Sequence, residues 1–128
     1  IHIFLYRTSR GKIWKKMLGM PVLLLTTTGR KSGRQRTTPV VYVLDHGSYL
    51  VAATKGGADS HPAWFLNIAA SSEAQVEVEG KVFPVQVTVI AGEERTQLYE
   101  KFKAAGSNFA DYERNTRRTI PVVRLTPV

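Results

Sequence analysis

With 128 residues, 43% of them hydrophobic, the chain has material for one globular domain with a modest core, and this argues against disorder. The absence of cysteine excludes a disulfide framework, a thiolate nucleophile and a cysteine-ligated metal. The formal net charge of +8 is unevenly placed: residues 1–44 carry nine Lys and Arg and no acid before Asp45, so an anionic partner is expected to meet the first third.

That partner could be a phosphate ligand, nucleic acid or an anionic membrane. No apolar run approaches the roughly 18 residues that span a bilayer, and a signal-peptide core is lacking, so a cytoplasmic location is expected. The chain begins at Ile1 rather than Met, which leaves room for a longer natural N-terminus.

Residues 1–20 read as a basic amphipathic N-terminal segment, with a short helix over 3–18 broken near Gly11. It could cover one end of the core or lie on an anionic membrane as a peripheral contact. From Val22 the pattern changes to "VLLLTTT", a buried strand, followed by the turn "GRKSGR" and the return strand "TTPVVYVL". "DHG" is the next turn, "SYLVAAT" a third strand and "KGGADSH" a loop. "PAWFLNIAA" reads as a helix, with Pro62 in the first turn and Ser60 or His61 as the cap. "QVEVE" and "VFPVQVTV" alternate as a hairpin across Gly80. "EERTQLYEKFKAAG" is an amphipathic helix with Leu98 and Phe102 on one face, ending at Gly106. "SNFADYERNTRR" is a short helix or ordered loop, and "TIPVVRL" the last strand. Six strands with two or three helices in one domain over 1–128 predict an α+β antiparallel barrel.

Several chemistries are missing. His2, His46 and His61 have no metal-ligand spacing, so no metal is expected, and no nucleophile elbow, Walker loop or dinucleotide fingerprint occurs. The acid pairs Glu77/Glu79 and Glu93/Glu94 are expected on an exposed strand face and at a helix start. An enzyme of this composition would rely on a cofactor for its reactive atoms.

Two loops then stand out. "GRKSGRQR" offers backbone N–H groups together with Arg30, Lys31 and Arg36, with Ser32 as a neutral donor, which suits a phosphate; the alternative is a solvated turn. In "VAATKGGADSHPAWFLN", small residues Ala52, Ala53 and Thr54 would let a flat ring approach the backbone, with Lys55 and a helix start favouring an anion. Trp64 could pack on such a ring or anchor the core. Phe65 and Ile68 are expected in the core.

The blocks "LLLTTTGRKSGRQRTTP", "VAATKGGADSHPAWFLN" and "DYERNTRRTIPVV" together resemble the three signature blocks of the deazaflavin-dependent nitroreductase family, a mainly actinobacterial group of coenzyme F420-dependent oxidoreductases. The resemblance implies a split β-barrel related to the flavin-binding pyridoxamine-phosphate oxidases. It further implies that Arg30, Lys31, Ser32 and Arg36 meet the anionic tail of coenzyme F420, with Lys55 adding charge. The deazaflavin ring would lie along Ala52, Ala53 and Thr54 and under Trp64, with Phe109 also facing the coenzyme.

Hydride would pass from C5 of the reduced ring to an electron-poor small-molecule acceptor: a quinone, an activated enone or a nitroaromatic. Thr54 and Tyr112 are the catalytic candidates by resemblance. Tyr112 matches one of the tyrosines lining the acceptor side in the nitroimidazole-reducing member. Phe109 replaces another, Gly106 falls where a third would stand, and Val41 takes the place of a strand tyrosine. Tyr42 should face the opposite side of that strand.

The rival readings are a basic binding module for nucleic acid or anionic membrane, and a split barrel that takes FMN or haem instead. Specific nucleic-acid recognition is not expected, since no aromatics are interleaved in the basic turn. A monomer or weak dimer is expected.

Overall fold

The computed structural model describes residues 16, 17, 19–106 and 108–128. Its elements are β1 (Lys16–Met17), β2 (Met20–Thr28), β3 (Gln35–Val41), β4 (Val43–Asp45), β5 (Ser48–Ala52), a 3-10 turn (Lys55–Gly57), α1 (Ala63–Ala70), β6 (Glu73–Val78), β7 (Lys81–Ile90), α2 (Gly92–Ala105), α3 (Phe109–Arg114) and β8 (Val122–Pro127). The helix expected over 3–18 does not reach residues 16 and 17, which pair with Pro21 and Met20 as β1. The remainder of that segment, and with it the membrane-facing alternative, lies outside the described residues.

Every strand pairing among the described residues is antiparallel, and the strand order β2–β6–β7–β8–β5–β4 is closed by a bend in the chain. β3 pairs with β2 from Thr28↔Gln35 to Val22↔Val41, whereas β4 pairs with β5 from Val43↔Leu50. Between them Tyr42 leaves the ladder and donates its N–H to Pro21 O at 3.1 Å. A single return strand therefore changes partner at Tyr42, and this joins the two edges of the sheet. The six expected strands are present, with this one counted in two pieces.

Period-2 alternation sorts the side chains into two cores. Leu23, Leu25, Val51, Ala53, Val76, Val78, Val123 and Leu125 fill the interior, which Trp64 and Ile68 of α1 close at one end. Residues of the opposite parity, Leu50 and Val122 among them, face outward and are covered by Leu98, Tyr99 and Phe102 of α2 and Phe109 of α3.

Two local expectations change. Neither Ser60 nor His61 caps α1: Pro62 occupies the cap position with no side-chain bond, because both polar groups have other partners. Glu77 is not on an exposed face but only 8% exposed, on a strand paired on both edges, with β2 and β7. Gly106 ends α2 as expected, in an extended conformation. Its role is steric: a Cβ there would stand 2.9 Å from Met20 Sδ and 3.0 Å from the Phe109 ring.

Candidate coenzyme site

The basic turn is built on two glycines. Gly29 donates its N–H to Arg34 O at 2.7 Å and accepts from Gly33 N at 2.8 Å, and Gly33 takes φ +72°, which only glycine adopts without strain. A Cβ on Gly29 would lie 2.8 Å from Ser32 Oγ, so the turn has no room for a side chain there. Ser32 Oγ in turn accepts from Arg34 N at 3.2 Å. The fold thus presents Arg30, Lys31, Ser32 and Arg36 on the wall of a cleft of about 600 Å³, together with Thr27, Thr37, Thr38, Trp64 and Asn67. Arg34, exposed at the crest of the turn, does not line it.

One side chain essential to this arrangement escaped the sequence reading. Asn67 of α1, 3% exposed, accepts from Arg30 N at 3.1 Å and from Arg30 Nη1 at 3.2 Å, and donates from Nδ2 to Thr27 Oγ1 at 3.1 Å. It ties the basic turn to the helix beneath. Its signal was an amide at helical spacing from Trp64 and beside Ile68, a polar residue on an otherwise apolar face.

A second cleft of about 270 Å³ is lined by Pro39, Val40, Val41, Ala52, Thr54, Lys55 and Pro62, and it shares Thr38 and Trp64 with the first. The two clefts meet at these shared residues, giving one trough with a cationic end and a largely apolar end. No acidic side chain lines either part among the described residues. Trp64 is a core anchor, 7% exposed within the core cluster, and its remaining surface lines the trough. Thr54 begins the 3-10 turn; its backbone oxygen accepts from Gly57 N at 3.0 Å, and its hydroxyl has no partner among the described residues. Lys55, at φ +47°, donates to Ser60 Oγ at 3.1 Å.

Three expected site residues are not brought into the trough. Ala53 is fully buried, because it shares the parity of Val51 and points into the barrel while Ala52 points out. Phe109, 1% exposed, lies between Phe102 and Tyr112 at ring separations of 5.3 and 5.4 Å, in the core under α2. Tyr112 lines neither cleft; α3 is docked on the 3-10 turn, where a Cβ on Gly57 would lie 3.1 Å from Tyr112 Cα. Val41 does line the apolar end, and Tyr42 turns away to meet Tyr49 edge-on at 5.1 Å, as alternation requires. No group of three or more His, Asp or Glu that could hold a metal occurs among the described residues.

The structure is thus a split barrel with an acid-free, cationic trough, among the described residues, beside its bent strand. The chain belongs to the F420H(2)-dependent quinone reductase family, which matches residues 1–127. It is 34% identical to an F420H(2)-dependent quinone reductase of Mycobacterium tuberculosis, over 98% of this chain and 87% of that one. A solved F420-H2 dependent reductase of the FDR-A group superposes with TM-score 0.74 at 37% identity, covering 82% of this chain and 93% of that one. Another structure, described as a domain-swapped dimer, gives TM-score 0.76 at 35% identity, covering 96% and 90% of the two chains. The haem storage protein HutZ of Vibrio cholerae shares the fold alone, with TM-score 0.63 at 15% identity over 98% and 87%. The family is one of F420-dependent oxidoreductases, so the expected coenzyme class stands.

Proposed function

We propose that this chain holds coenzyme F420 along the joined trough and uses its reduced form to reduce a quinone. The observation that carries this reading is the meeting of the two clefts at Thr38 and Trp64, with cations at one end and small apolar residues at the other. Arg30, Lys31, Ser32 and Arg36 would hold the anionic tail, and the first of these is held in place by Asn67. Ala52, Val41 and Thr54 would flank the ring, against Trp64, with Lys55 adding charge at the mouth. When bound, the reduced deazaflavin supplies a hydride. The chain's own contribution is to orient the two partners and exclude water, with the unpartnered Thr54 hydroxyl placed to donate a hydrogen bond where negative charge develops on the acceptor.

Quinones are favoured over nitroimidazoles because no phenolic donor lines the trough among the described residues: Val41 stands at the ring end, and Phe109 and Tyr112 lie elsewhere. A cytoplasmic enzyme that meets its quinone at an anionic membrane through the basic residues before β1 is the location that best fits an apolar acceptor. No helix among the described residues is long and apolar enough to cross a membrane. A dimer is supported by the domain-swapped relative.

The test is a fluorescence titration with oxidised F420, FMN and a single-stranded oligonucleotide in parallel, followed by F420H2 oxidation with menaquinone analogues. Saturable, selective deazaflavin binding with quinone turnover is expected. Equal or better binding of FMN, or only a salt-sensitive response to the oligonucleotide, would overturn the reading.

A further inference from the structure

The loop that carries Thr54 and Lys55 is held from outside by a residue with no assigned role. Arg118, half-buried, donates from Nη2 to Thr54 O at 2.7 Å and from Nε to Ala58 O at 2.9 Å, and its Nη1 lies 3.0 Å from His61 Nδ1. Its neighbours add to the hold: Thr116 Oγ1 donates to Ala58 O at 3.0 Å, and Asp59 Oδ1 accepts from Arg117 N at 3.0 Å. We propose that Arg118 is a positioning residue that clamps the ring-side loop, and that its third acceptor, His61, makes the clamp open in mild acid.

The chemistry of the donors fixes the protonation state of His61. A guanidinium has no acceptor, so His61 Nδ1 must present a lone pair and the ring must be neutral, with its proton on Nε2. A second proton would turn the acceptor into a donor and place a cation 3.0 Å from another. The third arm of the clamp cannot survive that change. Burial first, and then the charge of Arg118, hold His61 below its ordinary 6.5, in keeping with the neutral ring.

The other charged groups around His61 are few. Arg95 of α2 lines the same hollow as His61, and Asp59, in the loop, is engaged by Arg117 and Thr116. The face supplied by α1 is the Phe65 ring, 4.9 Å away. The loop needs holding because Lys55 sits at φ +47°, a strained region for a residue with a side chain. Released, Thr54 and Lys55 would leave the positions from which they line the ring cleft.

This inference rests on the coenzyme reading for its effect on affinity, but the clamp can be followed without ligand. The experiment is an NMR titration of the ligand-free protein from pH 8 to 5, following the Gly57 and Ala58 amides, with F420 affinity measured at each pH. In the wild-type chain the loop signals should shift in one transition below pH 6.5, and affinity should fall about tenfold across it. His61→Gln, whose amide oxygen accepts from Arg118 at every pH, should abolish both changes. Arg118→Gln should show the displaced loop and weakened affinity throughout. A wild-type loop that does not titrate, or a His61→Gln protein that titrates like wild type, would overturn the clamp. A loop that titrates as expected in a protein that never binds F420 would confirm the clamp and refute the coenzyme reading instead.

Discussion

Replacing Asn67 by Ala separates the basic turn from the helix that supports it, and its cost can be worked bond by bond. The side chain makes three hydrogen bonds, two to Arg30 and one to Thr27. Arg30 is exposed, so water can replace its two, and each counts for about 1 kcal/mol or less. Thr27 is 2% exposed, so its hydroxyl loses a donor that water entering from the cleft replaces only in part. The sum is a loss of about 2 kcal/mol in stability, or roughly 5–8 °C in Tm for a domain of this size.

Coenzyme affinity should also weaken about tenfold, since Arg30 no longer holds one orientation on the cleft wall. Fluorescence titration of F420 into Asn67→Ala, Arg30→Ala and the double variant forms a cycle. If Asn67 acts through Arg30, the double variant binds no more weakly than Arg30→Ala. Fully additive losses would refute that route and place Asn67 directly on the ligand.

The charge of the turn gives a second expectation: Arg36→Glu, or Lys31 and Arg36 reversed together, should weaken F420 binding tenfold or more and leave circular dichroism unchanged, because both residues are exposed. Unchanged affinity would remove the turn from the site. Phe109→Ala should lower stability by about 3–5 kcal/mol, seen in denaturant melts, and affect coenzyme affinity only through unfolding. A stable variant with selectively lost binding would return Phe109 to the pocket.

Acid should destabilise the fold through Asp45. Burial alone would raise its pKa, but hydrogen bonds from Arg124 and Lys101 outweigh this and hold it below the ordinary 3.8. A depressed folded pKa means that this stability is intact above about pH 4 and is lost as pH falls through the folded value. Asp45→Asn should therefore be less stable than wild type at pH 7 and show a shallower loss of Tm in acid; parallel curves would contradict this.

Much of the fold was legible from local pattern. Strand alternation, the glycine-bounded turn and the apolar helix face each follow from contacts within a few residues, so the strands and helices of the described residues fall near their expected positions. The cationic wall was legible for the same reason: Arg30, Lys31, Ser32 and Arg36 sit in one turn whose geometry is local. The family blocks were legible because they preserve these turns in order.

Parity and long-range pairing decided the rest. Ala52 and Ala53 are alike in composition, and only the pairing of Ala52 with Val122 in β8 settles which one meets the trough. Phe109 looked like a pocket residue until α2 was folded over it, and Gly106 proved to be the space its ring requires. Asn67 reaches a turn 37 residues back in the chain, and Arg118 a loop up to 64 residues back. Composition and periodicity specify which residues are apolar, charged or free to turn. Which polar side chains find one another depends on a barrel that closes only when the return strand bends at Tyr42 and changes partner, a pairing between segments distant in the chain.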